Sequence, residues 1–408
     1  MDTPNRRIRF VWNYLDWGGA NVYLLAIMKE AAAEWDMEVL LPIGSSQDIL
    51  DMIDAVGVRY RLIDACLDKE PAPSLVRKMA RQWSRIRAEF VTFRELKKEK
   101  LKDLIVHCDL AAWQSWIFYW LLCKNGAKAF FTMHNALPDK PAWRRAVWRW
   151  RLKFLSRLNG FHILPSNQHA KNSLKGWVDD SFWHAMPVTY TCVNPEEIAA
   201  ALAAPFDRKE VRAEHEISLD AFVVLTVAQF IDRKGRWTLL EAARKIADSR
   251  EDIQFVWLMP ELPAGDDDDL KRVESYKLGP RFQMIRSRDI GSSRIDVLRF
   301  FRIADAFVLP SFVDGLPIAL LEGMAMGLPA ISTNVFAIPE AVKDRQTGLL
   351  LEPGDSDSLA TSIVELADDP MLRDALAVKG SAFVLKNFDE RKAARLALQS
   401  YREALFHV

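Results

Sequence analysis

Short runs of β-branched and aromatic residues alternate with helix-period segments along this chain, and near residue 190 the alternation breaks and starts again. In the front half, spans 8–12, 37–42, 104–107, 129–132 and 160–165 read as strands. Helical patterns at 22–35 and 111–123 lie between them. In the back half, spans 221–227, 253–258, 282–285, 306–310 and 329–332 read as strands, with helices expected over 237–246 and 319–326. Strands separated by helices imply parallel sheets, because each crossover returns the chain to the same end of its sheet. At 408 residues the chain is too long for one core. The fold class is therefore α/β, with two doubly wound domains meeting near 188–197, where Pro187, Asn194 and Pro195 interrupt the pattern. The acidic run 266–269 reads as a solvated loop, and no internal repeat is visible.

Composition narrows the class. Half of the residues are hydrophobic and 27% are charged, which excludes disordered and fibrous chains. The formal net charge of zero conceals an asymmetry. Residues 1–195 hold 28 Lys and Arg against 20 Asp and Glu, whereas 196–408 hold 27 against 35. A basic front half points to an anionic partner. Cys66, Cys108, Cys123 and Cys192 form no metal-ligand spacing and read as buried thiols in a reducing compartment. Arg6 and Arg7 lead directly into a strand rather than a signal-peptide core, and 111–123 is short for a membrane span. The expected location is cytoplasmic, or peripheral on the inner face of a membrane.

The most informative segment runs from Pro310 and Ser311 through Asp314, Gly315, Leu316 and Pro317 to Glu322, Gly323, Gly327 and Pro329. A buried strand ends, a glycine turn follows, and a helix begins near Pro317, a residue favoured at the first helical position. Unpaired amides at such a helix start make an anion site. Asp314 lies just before the helix and Glu322 about two turns into it, so the two carboxylates suit opposite ends of one elongated ligand. A second segment, 224–235, places Gln229, Arg233, Lys234 and Gly235 after the first strand of the back half. Cations there would stabilise charge growing on a departing phosphate.

These segments resemble the acid-x7-acid signature and the G-R-L-x-x-x-K-G block of retaining glycosyltransferases of family 4, which have the GT-B fold. The resemblance covers nearly the whole chain. It implies that Asp314 contacts donor-sugar hydroxyls, that Glu322 holds the nucleotide ribose, and that Lys234 neutralises the diphosphate. Two residues depart from the family pattern: Asp314 stands where Glu is usual, and Gln229 where Arg is usual, with Arg233 available nearby. Gly18 and Gly19 match the family's N-terminal glycine loop. They lack the third glycine of a dinucleotide fingerprint, and no acid ends the second strand, which counts against an NAD enzyme. His134, after Phe131-Thr132-Met133, matches the family histidine beside the donor sugar's outer hydroxyls, while His107 and His162 read as structural. The implied architecture is an acceptor-side Rossmann-like domain over 1–190, a nucleotide-sugar domain over 191–385, and a helix at 386–408 that packs back on the first domain. The two domains are expected to face each other across a cleft.

Residues 140–178 contain nine Lys and Arg and no acid. Trp143, Val147, Trp150, Phe154 and Leu158 share one helical face, with Arg144, Arg145, Arg149, Arg151, Lys153 and Arg157 around it. Two readings stay open: an interfacial membrane helix, or an ordinary core face with solvated arginines. A second basic helix, 77–102, adds charge.

The expected function is retaining transfer of a sugar from a nucleoside-diphosphate sugar to a saccharide or lipid-linked acceptor, in bacterial surface polysaccharide or glycolipid synthesis. No cofactor, metal or nucleic acid is expected, and an anionic membrane surface is a further expected partner. The alternatives are another GT-B activity, such as a nucleotide-sugar epimerase, and a catalytically silent binding subunit.

Overall fold

The apolar runs are buried on both faces, as central strands of parallel sheets must be. The computed structural model describes residues 6–13, 15, 19–65, 74–263, 267–291 and 293–406. It comprises two units: Met1–Tyr190 with Glu390–Val408, and Thr191–Asp389. The N-terminal unit contains β1 (Arg7–Val11), β2 (Asp36–Pro42), β3 (Arg59–Ile63), β4 (Ile105–Cys108), β5 (Lys128–Met133) and β6 (Phe161–Pro165). They form one parallel sheet in the order β3-β2-β1-β4-β5-β6. The C-terminal unit contains β7 (Phe222–Val227), β8 (Ile253–Met259), β9 (Phe282–Arg286), β10 (Ala306–Leu309), β11 (Ala330–Thr333) and β12 (Leu349–Leu351). Its parallel order, β12-β11-β10-β7-β8-β9, repeats the same winding. Both units are therefore Rossmann-like. In each, the direction of winding reverses between the first and fourth strands, and sheets of this kind bind ligands there, at the carboxyl ends of the strands.

Alternation along β1 sends Ile8 and Phe10 to one face of the N-terminal sheet and Val11 to the other. The face with Ile8 and Phe10 is covered by helices Gly19–Ala31 and Glu390–Phe406, the latter contributing Ala394, Ala397, Leu398 and Tyr401. Tyr401 is fully buried, packs edge-on against Phe130 and hydrogen-bonds Nδ1 of His107, whose Nε2 meets Thr132 Oγ1. Burial holds the His107 imidazole down to a pKa of about 4. An unfolded histidine, with its ordinary pKa near 6.5, takes up a proton first, so the histidine's contribution is complete above that pH and declines as pH falls towards 4. Denaturant titrations across this range are expected to show a loss to which His107 contributes up to about 3 kcal/mol, and that share should vanish in His107→Phe.

Several local expectations need correction. The span 111–123 is not one helix: residues 111–115 form a turn and the helix is Trp116–Lys124. Ser115 there donates to Glu89 at 2.7 Å instead of continuing a helix. The acidic run is not all loop, because Asp267 caps a helix, Asp268–Ser275, and Asp269 pairs with Arg236. β3 and β12 are additions. Cys108 and Cys192 are buried, Cys123 is half-buried, and Cys66 lies outside the described residues.

In helix Ala142–Leu155, the residues facing the core are Trp148, Leu152 and Leu155. Trp143 and Trp150 are instead 65% and 58% exposed, and Val147 is exposed beside them. The core-face reading of the 143–158 stripe therefore fails; only Phe154 and Leu158 are half-buried. No helix among the described residues is long and apolar enough to cross a membrane.

Candidate active site

The C-terminal unit's site is assembled from the loops that follow β7 and β10, neighbouring strands on either side of the winding reversal. After β7 the chain makes a single 3-10 turn, Asp232–Lys234, and enters helix Arg236–Ala247 through Gly235. Gly235 has φ +74°, and a Cβ built there would stand 1.9 Å from the carbonyl oxygen of Pro310. Only glycine permits that approach. The loops are also joined through their backbones, Phe312 N–H donating to Arg233 O at 2.8 Å. On the β7 side, Asp232 accepts from Arg236 Nε at 2.9 Å and from Trp237 Nε1 at 2.8 Å, which holds the turn against its helix.

This joining brings Lys234 and Asp314 together as an ion pair between Nζ and Oδ2. Ser311 Oγ donates to the same Oδ2 at 3.1 Å, and Arg233 Nη1 stands 3.6 Å from Oδ1. Arg233 thus points at the acid despite its exposure, which the sequence alone left open. Gln229 is exposed on the same loop. Gly315, Leu316 and Pro317 follow, all buried.

Pro317 is the cap of helix Ile318–Ala325 rather than its first residue, and no side chain closes that end. The first-turn amides are left for an external acceptor. Gly323 sets this helix close on β10, because a Cβ there would lie 2.7 Å from the Phe307 ring. Glu322 is the fifth residue of the helix, one turn inside rather than two, and is buried. Its carboxylate is held by Arg294, whose Nε also reaches Glu197 Oε2 at 2.7 Å. Sequence reasoning missed Arg294, because nothing near it in the chain marks the two distant acids it joins.

In the N-terminal unit, His134 directly follows β5 and is half-buried, with Tyr23 edge-on at 5.9 Å. Beside it Asp109, directly after β4, was also missed. Its side chain is 3% exposed, and its Oδ2 lies 3.8 Å from His134 Nε2. Neither carboxylate oxygen of Asp109, nor His134 Nε2, has a hydrogen-bond partner among the described residues. A buried carboxylate without a donor is costly and marks a place for a ligand's donor groups. Its position, immediately after a central strand at the winding reversal, was the available signal. Gly19 opens helix Gly19–Ala31, whereas Gly18 lies outside the described residues. No cluster of three or more His, Cys, Asp or Glu able to hold a metal occurs among the described residues.

Residues 207–382, nearly the whole C-terminal unit, match the family model of the glycosyl transferases group 1. The C-terminal unit is a group 1 glycosyl transferase domain. The chain is 29% identical over 300 residues to the lipopolysaccharide core biosynthesis glycosyltransferase LpsD of Rhizobium meliloti, covering 66% of this chain and 82% of that protein. It is 26% identical over 220 residues to the D-inositol 3-phosphate glycosyltransferase of Paenarthrobacter aurescens, covering 52% of each. The chain thus spans only about half the length of several curated relatives that it matches. Among solved structures, a glycosyltransferase from Rickettsia africae superposes over 100% of both chains with a TM-score of 0.76 at 17% identity. Anabaena Alr3699/HepE, solved with UDP and glucose, covers 98% of this chain and 100% of its own, with a TM-score of 0.75 at 15% identity. At such identities the likeness is one of fold, and it extends beyond the group 1 domain to the N-terminal unit.

Proposed function

We propose that the chain transfers a sugar, with retention and without a metal, from a nucleoside-diphosphate sugar to a saccharide or lipid-linked acceptor. The observation that carries this reading is the meeting of Lys234 and Asp314 at the uncapped start of helix Ile318–Ala325. A lysine beside free helix amides suits a diphosphate, and a carboxylate beside both suits the sugar hydroxyls. Without a donor the two side chains neutralise each other. Donor binding then exchanges partners: the diphosphate takes Lys234 and the helix start, and sugar hydroxyls take Asp314. Arg233 supplies a second cation where Gln229 brings none. Arg294 fixes the Glu322 carboxylate in one orientation for the ribose.

In the reaction, the acceptor oxygen bonds to the anomeric carbon as the bond to the diphosphate breaks, and the departing phosphate oxygen takes the acceptor's proton. Lys234 and the helix amides stabilise the charge that accumulates on that phosphate. Names among the relatives, including a GDP-mannose-dependent phosphatidylinositol monomannoside mannosyltransferase of Mycolicibacterium smegmatis, support a glycolipid or surface-polysaccharide setting. His134 and Asp109 are assigned to hydroxyls of the bound sugars.

Thermal-shift measurements with UDP, GDP and ADP test the donor site. The correct nucleotide at about a hundred times its Kd stabilises by roughly 2.7 kcal/mol. For a unit of this size that is a rise of about 5–10 °C. EDTA should leave both the shift and subsequent transfer intact. No shift with any nucleotide overturns the donor site, and loss of transfer on chelation overturns the metal-free mechanism.

The exposed Trp143 and Trp150, with Arg144, Arg145, Arg149 and Lys153 on the same helix, support a reading in which the chain works at an anionic membrane surface.

A further inference from the structure

The basic helix Leu75–Leu96 carries an apolar face of its own that charge counting overlooked. Leu75, Val76, Met79, Trp83, Ile86 and Phe90 recur at helical spacing, and each is between 45 and 76% exposed. Only Ala88, Thr92 and Leu96, towards the other end of the helix, are buried. The first half of the helix therefore projects its apolar side into solvent. A continuous stripe of this length is uncommon on a soluble surface and marks a contact with something apolar.

Charge decides between the possible occupants. The helix holds six Lys and Arg against two acids, and no acid precedes Glu89. Lys78 and Arg81 have no acidic partner among the described residues. Helix Ala142–Leu155 contributes five more basic residues and no acid. Both helices border the same element: Arg85 bonds Gln114 just before helix Trp116–Lys124, and Trp150 packs edge-on against Trp116 at 5.4 Å. A second copy of this surface would set like charges against like. An anionic lipid surface instead offers hydrocarbon for the stripe and phosphate for the cations.

We infer that helix Leu75–Leu96 is the principal inserting element, lying in the lipid interface with Met79, Trp83, Ile86 and Phe90 immersed, while helix Ala142–Leu155 adds attraction. This rests on the membrane reading above and not on the transfer reaction. The reading also assigns a role to the charge asymmetry of the chain, since both basic helices belong to the N-terminal unit.

The test is co-sedimentation of the full chain with vesicles of equimolar phosphatidylcholine and phosphatidylglycerol, and with phosphatidylcholine alone. The full chain is expected to bind the anionic vesicles, and salt should weaken the binding only in part. The variant Met79→Ser/Trp83→Ser/Ile86→Ser/Phe90→Ser should melt like the parent, because all four side chains are exposed, and should lose at least about a hundredfold in vesicle affinity. Trp83→Ser alone should lose about tenfold. Substituting Trp143 and Trp150 by Ser should weaken binding less than the quadruple change does. If the full chain binds anionic vesicles and the quadruple variant binds equally well, the inserting helix is wrong while the membrane reading stands. If the full chain ignores anionic vesicles, both fall. If sedimentation velocity shows a dimer that the quadruple variant abolishes, without lipid binding, the stripe is a self-association surface and the proposal is overturned.

Discussion

Lys234→Ala is expected to lower turnover by about 10²–10³-fold, the loss that follows when one preorganised electrostatic donor is removed from a developing charge. The same change should cost only about 1 kcal/mol of stability, a shift of roughly 2–4 °C. The reason for the difference is local. Removing Lys234 leaves Asp314 with Ser311 Oγ at 3.1 Å and with Arg233 at 3.6 Å, so its charge is not stranded. A departing diphosphate keeps only the exposed Arg233, 3.6 Å from Asp314 Oδ1, and so loses the more buried of its two cations. Steady-state turnover with the nucleotide sugar chosen from the thermal-shift screen, measured beside the melting temperature, separates the two effects. Lys234→Arg should restore part of the rate. Near-parental turnover in Lys234→Ala, or a melting temperature low enough to explain the loss, would remove the lysine from the mechanism.

Gly235→Ala is expected to have the largest effect on stability. Left-handed backbone costs a residue with a Cβ about 1–2 kcal/mol by itself. Here the added carbon would also stand 1.9 Å from the Pro310 carbonyl oxygen, and no rotamer change relieves a clash with backbone. The two loops must part, at a total of at least about 3 kcal/mol, or roughly 6–12 °C. Because Lys234 immediately precedes this glycine, the variant should also lose the nucleotide-dependent shift. Calorimetry or dye melts with and without nucleotide give both readings at once. A variant that melts within about a degree of the parent and still responds to nucleotide would contradict the joined-loop geometry.

Much of the fold was legible because parallel strands buried on both faces announce themselves as nearly continuous apolar runs, as in β7 and β8, each interrupted by a single polar residue. The two strands that escaped had physical reasons to do so. β3 is an edge strand whose Arg59 and Arg61 pair with Asp36 and Glu38 of β2, so its sequence looks like a charged loop. β12, the opposite kind of exception, has only three residues and shows no period. The residues of the candidate site were readable where they sit in one contiguous motif, as Asp314 and Glu322 do. The direction of Arg233 was not, since it depends on a backbone bond to Phe312 from another loop. Arg294 and Asp109 escaped for the same reason. Each acquires its meaning from neighbours far away in the chain. The 143–158 stripe carried a correct period but no sign, because periodicity finds the two sides of a helix without saying which one the core takes. Trp148, Leu152 and Leu155, off the stripe, are the residues the core takes.

The return of helix Glu390–Phe406 to the first sheet has a consequence for biogenesis. The ribosome releases the segment that seals the Ile8 and Phe10 face only after the entire group 1 domain has emerged. The unit begun first is therefore the unit completed last. Until Tyr401 arrives to shield His107 and Phe130, the nascent N-terminal half must wait with an open apolar flank, the kind of surface on which chaperones act.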